Sequence, residues 1–497
     1  MNPRTENRIP FKHPDHFFID GTWHKPSSPS AFEVIDSHTE EPFLRAAEAQ
    51  APDMEHAVDA ARKAFDQGPW PRLSHEERAG YLRAMADALE ARIEDYNQIW
   101  PREAGATRAI AKAFTGEAPW LFRYYADLAA SFPFEEKVTP RPSHAPGGDY
   151  GLLVHEAVGV VGVIVPWNVP LALSLTKLAP ALLAGCTVIV KMPPEAPTAG
   201  FLLGEVAEEV GLPAGVVNVV TADREVSELL VRDPRVDKIA FTGSTAAGRR
   251  IASLCGERIA RCTLELGGKG AAVLLDDADF ESAATILANA ETTLAGQVCY
   301  SLTRIVVPRQ RHDEFAEALA AAFSAVRVGD PFDEATQMGP LAMARQRDLV
   351  EHYIAKGLEE GARLVTGGGR PKHLDRGYYV EPTVFAGVDN SFTIAREEIF
   401  GPVLSVIPAD SEEQAVAIAN DSDFGLNASV FTADASRARR VAGRLRSGTV
   451  GHNNLRVDSS IGFGGFKQSG IGREGGRQGL LSYLESKTIL LDEAPVG

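Results

Sequence analysis

The sequence predicts an α/β protein of two doubly wound parallel sheets, and three observations predict it. From Gly159 to about Ala246, apolar runs rich in β-branched residues alternate with stretches whose apolar residues recur at helical spacing. A second alternating set follows the Gly267-Gly268 pair. Two further segments, Gly151 to Ala157 and Lys487 to Leu491, read as strands without helices of their own. Alternation of this kind builds parallel sheets, with ligands held beyond the carboxyl ends of the strands.

Taken in order, Phe17 to Trp23 reads as a strand turning at Asp20-Gly21 into a hairpin. Asp53 to Phe65 and Ser74 to Tyr96 have helical periodicity, and Ser74 with Glu77 forms a capping box. These helices are packing. The first alternating set runs through strands at Gly159 to Val165, Thr187 to Val190, Val216 to Val220 and Lys238 to Phe241. Helices are expected from Leu171 to Ala184, stopping at Gly185, from Ala199 to Val210, and from Ala246. The second set has strands at Ala271 to Leu275 and Thr303 to Val307, with helices at Asp279 to Leu294 and Asp313 to Ala325. The chain changes sheet near Gly267-Gly268, and a Pro/Gly-rich stretch from Pro140 to Gly148 interrupts the first set. There is no internal repeat.

At 497 residues, two or three domains are expected. Lys and Arg total 50 against 67 Asp and Glu, a formal charge of −17, which repels phosphate backbones and argues against nucleic acid as a partner. The longest apolar stretch, Ala157 to Val165, is too short to span a membrane, and Met1 to Pro10 lacks the apolar core of a secretory signal. Four cysteines without CxxC spacing make no disulfide framework or metal site, so a reducing cytosol is expected.

Three residues carry candidate chemistry. Cys299 follows an Ala-rich helix that Gly296 can end in the left-handed conformation, leaving the thiol beside free backbone N–H groups. A lone cysteine is usually a small buried apolar residue, the reading that Cys186, Cys255 and Cys262 keep. Glu265 ends an apolar strand before the Gly-Gly turn, where partial burial would raise its pKa and suit it to take a proton from water. Asn168 sits in a loop pinned by Pro166 and Pro170, which can aim its amide at developing negative charge. Taken singly, the last two would be a solvated strand glutamate and a turn asparagine.

The order of five segments changes that balance. Pro166-Trp167-Asn168-Val169-Pro170, Phe241-Thr242-Gly243-Ser244-Thr245, Glu265-Leu266-Gly267-Gly268-Lys269, Gly296-Gln297-Val298-Cys299 and Glu398-Ile399-Phe400-Gly401-Pro402 together resemble the aldehyde dehydrogenase superfamily, over nearly the whole chain. The resemblance implies attack of Cys299 on an aldehyde, an oxyanion held by Asn168 and the Cys299 N–H, hydride transfer to a nicotinamide, and hydrolysis of the thioester by water that Glu265 activates. It implies a Rossmann-like cofactor domain over 1–137 and 158–266, a catalytic domain over 267–460, and an oligomerisation arm over 138–157 and 480–497. Residues 461–479 return to the active-site rim. A homodimer or homotetramer follows from the arm.

A GxGxxG fingerprint is absent, and the cofactor site is carried over residue by residue. Gly243, Ser244 and the following helix start meet a pyrophosphate; Lys191 reaches the adenosine ribose; Glu398 holds the nicotinamide ribose; Phe400, Trp167 and Leu266 border the cofactor. Two departures bear on the choice of cofactor. Many relatives have a glutamate three residues after the lysine, but here that position is Pro194 and Glu195 comes one later. Thr221 to Glu225 replaces a Gly-rich turn, and Arg224 there is read as solvated. The expectation is NAD, with NADP left open. Val169, Leu173, Val298, Tyr300, Val457 and Phe463 fall where the family lines its substrate tunnel, with Ala172 and Thr176 beside them, and no Arg or Lys stands among them. They imply a roomy apolar tunnel for a medium or bulky hydrophobic aldehyde. The rivals are a relative that transfers the acyl group to coenzyme A, which would not need Glu265, and a binding protein that kept only the fold. A cysteine hydrolase finds no histidine in the matched segments.

Overall fold

The computed structural model describes residues 9–140 and 150–495; residues 1–8 and most of the Pro/Gly-rich stretch, from 141 to 149, lie outside the described residues. Its strands form two large sheets and two small ones. The first large sheet runs in the order Gly470–Ile471, Arg261–Glu265, Lys238–Thr242, Val160–Ile164, Thr187–Met192, Val217–Thr221, Phe17–Ile19, Thr22–His24. Its five central strands are parallel, and the outer pairings at both ends are antiparallel. Val160–Ile164, Thr187–Met192 and Val217–Thr221 are buried at every residue, as strands covered on both faces must be. The hairpin at Asp20-Gly21 has positive φ at both residues (49° and 76°), the primed turn that a two-residue connection requires.

Helices cover the first sheet as the periodicity predicts. Ser74 caps His75–Asn97 with the reciprocal Glu77 bond in place. Pro170–Ala184 starts on a proline at its first position and ends where Gly185 adopts φ 100°. The second large sheet runs Arg363–Thr366, Thr383–Ala386, Val403–Ala409, Arg304–Pro308, Ala271–Leu274, Asn427–Phe431, Thr449–His452. The passage between sheets falls within 266–270, at the Gly-Gly pair. The strands without helices, Tyr150–Ala157 and Leu484–Leu491, pair antiparallel over eight residues, and Glu135–Val138 completes a three-stranded sheet.

One expected boundary is corrected. The helix before Cys299 spans Phe280–Thr292, ending earlier than Leu294 and not through Gly296. Leu294, Ala295 and Gly296 all have positive φ (51°, 52° and 73°), so three residues in the left-handed region, two of them not glycine, turn the chain toward the thiol. That backbone is costly for L-residues and persists only where its surroundings hold it.

Candidate active site

Close packing of the glycines brings the motifs together. Gly268 donates its N–H to Glu398 Oε1 (3.0 Å), and a Cβ on Gly268 would collide with the Cys299 carbonyl. A Cβ on Gly267 would collide with the Glu398 carboxylate, and one on Gly296 with the backbone of Gly401. Three distant segments therefore meet backbone to backbone, at distances only glycine permits. Gln297, 1 % exposed, holds the turn: its amide donates to Leu294 O (2.8 Å) and Ala104 O (3.3 Å) and accepts from the Ala342 N–H (2.9 Å).

Cys299, Glu265 and Asn168 line one cavity of about 590 Å³. Asn168 is buried; its amide donates to Gln297 O (2.9 Å), and its backbone carbonyl accepts from the Trp100 indole (3.0 Å). A primary amide carries two N–H donors, so one anchors the side chain and one remains for a ligand. Burial pushes the Cys299 thiol up to about 12, helped by Glu398 and Glu265, while the backbone N–H groups of Cys299 and Tyr300 pull it down. The resting thiol is therefore protonated at neutral pH. Glu265 is 3 % exposed, with no hydrogen-bond partner among the described residues for either carboxylate oxygen. Its carboxyl is pushed well above the usual range, first by burial and then by Glu474, against the pull of Lys177 and Arg473.

Lys177 and Glu474 were not singled out from the sequence. The Lys177 ammonium lies 2.8 Å from Glu474 Oε1, donates to Thr242 Oγ1 (2.6 Å), and is fully buried. The signal was a single charged residue in the apolar helix from Leu171 to Ala184. Glu474, isolated among Gly472, Gly475 and Gly476, is tied to the tunnel wall by paired backbone bonds with Phe463.

All six expected tunnel residues, Val169, Leu173, Val298, Tyr300, Val457 and Phe463, line the same cavity as Cys299. Tyr300 and Phe463 meet edge to face, with ring centroids 6.2 Å apart. The far wall was missed: Phe114, Glu117, Trp120 and Leu121 come from the helices Arg108–Gly116 and Ala118–Leu128, whose apolar faces show no motif.

A second cavity, of about 550 Å³, contains Trp167, Lys191, Glu195, Gly243 and Ser244. Thr242 lines both cavities, and the consecutive Trp167 and Asn168 face one each, so the two adjoin at the carboxyl ends of the central strands. Ser244 caps the helix Thr245–Arg258, accepting from the Ala247 N–H (3.3 Å), which leaves its hydroxyl hydrogen and the helix start facing the cavity. Lys191 is buried and its ammonium is pushed down to about 8. Glu195 is ion-paired with Arg345 (2.6 Å). Glu398, Phe400 and Leu266 lie outside the linings of both cavities. Phe400, at φ 56°, meets Trp167 edge to face at 5.5 Å, and Gln346 holds its carbonyl (2.8 Å). Leu266 packs on Gly248 and takes a bond from its N–H to Ser469 O (2.9 Å). Among the described residues no group of three or more His, Cys, Asp or Glu could hold a metal ion, and no helix is long and apolar enough to cross a membrane.

A half-buried thiol, a buried carboxylate and a buried amide line one largely apolar cavity beside the groove of Lys191 and Ser244, the layout of an enzyme site. A family model described as aldehyde dehydrogenase family matches residues 23–489, and the chain belongs to that family. It is 45% identical over 477 residues to a geranial dehydrogenase of Castellaniella defragrans, covering 96% of this chain and 98% of that one. It is 39% identical over 485 residues to a betaine aldehyde dehydrogenase of Brucella melitensis, covering 96% and 97%. Among solved structures, an aldehyde dehydrogenase of Mycobacterium tuberculosis complexed with NAD+ superposes with a TM-score of 0.94 at 44% identity, over 97% of this chain and 99% of that one. A cysteine-to-alanine mutant of aldehyde dehydrogenase C from Pseudomonas syringae, complexed with NAD+ and octanal, gives 0.93 at 38% identity, over 99% and 100%.

Proposed function

We propose that this enzyme oxidises a medium-length or bulky apolar aldehyde to its carboxylic acid with NAD+, using Cys299 as nucleophile, Asn168 as oxyanion donor and Glu265 as the base for water. The carrying observation is that these three side chains line one apolar cavity, which adjoins the groove of Lys191 and Ser244 at Thr242. The groove fits the cofactor. It ends on the open N-terminus of a 14-residue helix, suited to a pyrophosphate, and Ser244 lines it at that end. Lys191 and Glu195 stand at the adenosine end, and a carboxylate there disfavours a 2′-phosphate. NAD-bound relatives support the same choice.

Cys299 first passes its proton to solvent in the tunnel, and its sulfur bonds to the aldehyde carbon while the free Asn168 N–H and the Cys299 N–H hold the oxyanion. NAD+, when bound, accepts the hydride lost from that carbon. A thioester on Cys299 results. Glu265 then takes a proton from water, whose oxygen bonds to the acyl carbon, and the carbon–sulfur bond breaks to release the acid and the Cys299 thiolate. The apolar lining supports an apolar substrate tail, and the lack of Arg or Lys in it argues against an anionic one. The same reading assigns 1–137 and 158–266 to cofactor binding, 267–460 to catalysis and 461–479 to the rim. It assigns 138–157 and 480–497 to an arm that pairs subunits in the cytosol.

The test is nicotinamide reduction by the purified protein with NAD+ or NADP+ and a panel of aldehydes, with acid formation followed in the absence of coenzyme A. Turnover that disappears in Cys299→Ala is expected. A Cys299→Ala protein that still forms acid overturns the assignment.

A further inference from the structure

Beneath the turn that carries Cys299 lies a charge that the reaction does not explain. The Lys269 side chain is 2 % exposed, and no acceptor among the described residues lies within hydrogen-bonding distance of its ammonium. The chain around it is fixed: Gly268 bonds Glu398, a Cβ on Gly270 would press on the Ser301 carbonyl, and the Lys269 carbonyl accepts from Arg304 Nε (3.1 Å). Of the three carboxylates that act on the ammonium through space, Glu397 is exposed and two are withdrawn from solvent. One is Glu398. The other is Glu291, in the last turn of Phe280–Thr292, 2 % exposed and with its Oε1 unpartnered among the described residues. Arg304 cannot serve them, because its guanidinium is taken by Asn390, Ile418 O and Ala419 O.

Burying an ammonium costs several kcal/mol unless opposite charge offsets it. A methionine would fill the same volume without that cost, so packing alone does not account for Lys269. What the position offers is one positive charge near a buried acid, Glu291, and a half-buried one, Glu398, which borders the thiol.

We propose that Lys269 is a positioning residue: it acts through Glu398, keeping ionised the carboxylate that the Gly268 N–H orients toward the hydroxyls of the nicotinamide ribose, while Glu291 keeps the ammonium charged. This rests on the reading of Glu398 as a cofactor ligand. The groups facing Glu398 are the Gly268 N–H, Lys269, the Cys299 thiol and the Tyr353 hydroxyl; those facing Lys269 are Arg304, Glu291, Glu398 and Glu397. Burial pushes Glu398 up to about 7, against the pull of the Gly268 N–H and Lys269. Burial and then Arg304 push Lys269 down to about 7, while the three glutamates hold it up. Removing the cation raises the Glu398 pKa. Removing Glu291 lowers the Lys269 pKa and so weakens the same cation.

The experiment is equilibrium binding of NAD+ to the full chain, by calorimetry, from about pH 5.5 to pH 9, which spans the ordinary histidine-like window. Native affinity should fall as pH drops through about 7, the value to which Glu398 is pushed. Lys269→Met should move that limb up by about one pH unit, weakening binding about fivefold at pH 7 and about tenfold well below it. Lys269→Arg should restore the limb. Glu291→Gln should shift it in the same direction as Lys269→Met, and the double variant no further than Lys269→Met alone, since Glu291 acts only through Lys269. If Lys269→Met does not fold, Glu291→Gln carries the same prediction. Native affinity and a native limb in a folded variant overturn the proposal, as do additive effects in the double variant. A native protein whose NAD+ affinity ignores pH across this range sinks the reading of Glu398 itself, and one that does not bind NAD+ sinks the proposed function.

Discussion

The Lys177 ammonium sits 2.8 Å from the Glu474 carboxylate inside the protein, and Glu474 in turn faces Glu265. In the proposed reaction, each proton that Glu265 takes from water must leave a site with almost no solvent contact. Glu474 is the neighbouring acceptor, and its partner Lys177 reaches Thr242, where the two cavities adjoin. Glu474→Gln should therefore keep the initial burst of reduced cofactor and slow steady-state acid formation by about 10- to 100-fold, the low end of acid–base effects. Rapid mixing separates the phases. An unchanged steady state removes Glu474 from the path.

The same pair sets the pH dependence. Glu265 works as a base only when ionised, and burial with Glu474 holds its pKa well above the usual carboxylate range. Turnover should thus be lost on acidification at a higher pH than an ordinary glutamate would give. Glu474→Gln removes a neighbouring negative charge, so the acid limb of kcat should move to lower pH; Lys177→Met removes a positive charge and should move it higher. Limbs that shift together in both variants would mean that only packing had been disturbed.

Asn168 offers a prediction of a different size. One of its N–H groups is spent on Gln297 O, which fixes the amide, and the other is left for the oxyanion. Asn168→Ala should cost about 10²–10³ in kcat, the range for one oxyanion donor. Asn168→Asp should cost at least as much, because it turns a donor toward negative charge into an acceptor. Circular dichroism checks that both fold, and a loss confined to KM would count against the oxyanion role.

Why the sequence spoke clearly about some parts and not others follows from range. The strand-helix alternation is local, so Val160–Ile164, Thr187–Met192 and their helices were legible from periodicity and caps. Cys299, Glu265 and Asn168 were legible because each lies in a segment constrained by Gly or Pro. Glu474, Trp120 and Phe114 were not: Trp120 and Phe114 reach the tunnel through tertiary packing of helices without a motif, and the glycines around Glu474 mark a turn without saying what it faces. The turn before Cys299 misled because Leu294 and Ala295 take left-handed backbone that their side chains disfavour, a strain held by Gln297 and the Gly401 contact rather than announced by glycine.

The Gly268 contact can be tested directly. Its missing Cβ leaves room for the Cys299 carbonyl, while its N–H holds Glu398. Gly268→Ala should push the nucleophile turn away, destabilising the protein by about 1–3 kcal/mol as overpacking does. Alkylation of Cys299 by iodoacetamide should change rate in step, whereas Gly256→Ala, on a helix face where a Cβ meets nothing within 4 Å, should leave both alone. Equal effects at the two positions would mean that the close approach is unimportant.

The tunnel makes the last prediction, which concerns substrate length. Trp120 and Val457 line it yet remain 37% and 42% exposed, which places them where the cavity opens to solvent. Tyr124 packs on Trp120 and bonds Ser460 O (3.2 Å), tying the helix to the loop of Val457. Each methylene buried along this wall should add about 0.8 kcal/mol, or roughly fourfold in kcat/KM, until the chain reaches the opening. Glu117 and Asp458 also line the cavity, so an aldehyde with a terminal carboxylate should meet like charge and bind worse than its neutral isostere. Trp120→Ala should flatten the gain for the longest aldehydes while leaving acetaldehyde unchanged. Kinetics on a homologous series of aldehydes, with one semialdehyde of matched length, checks this; a semialdehyde that outperforms its neutral counterpart would show that the tunnel recognises charge rather than apolar length.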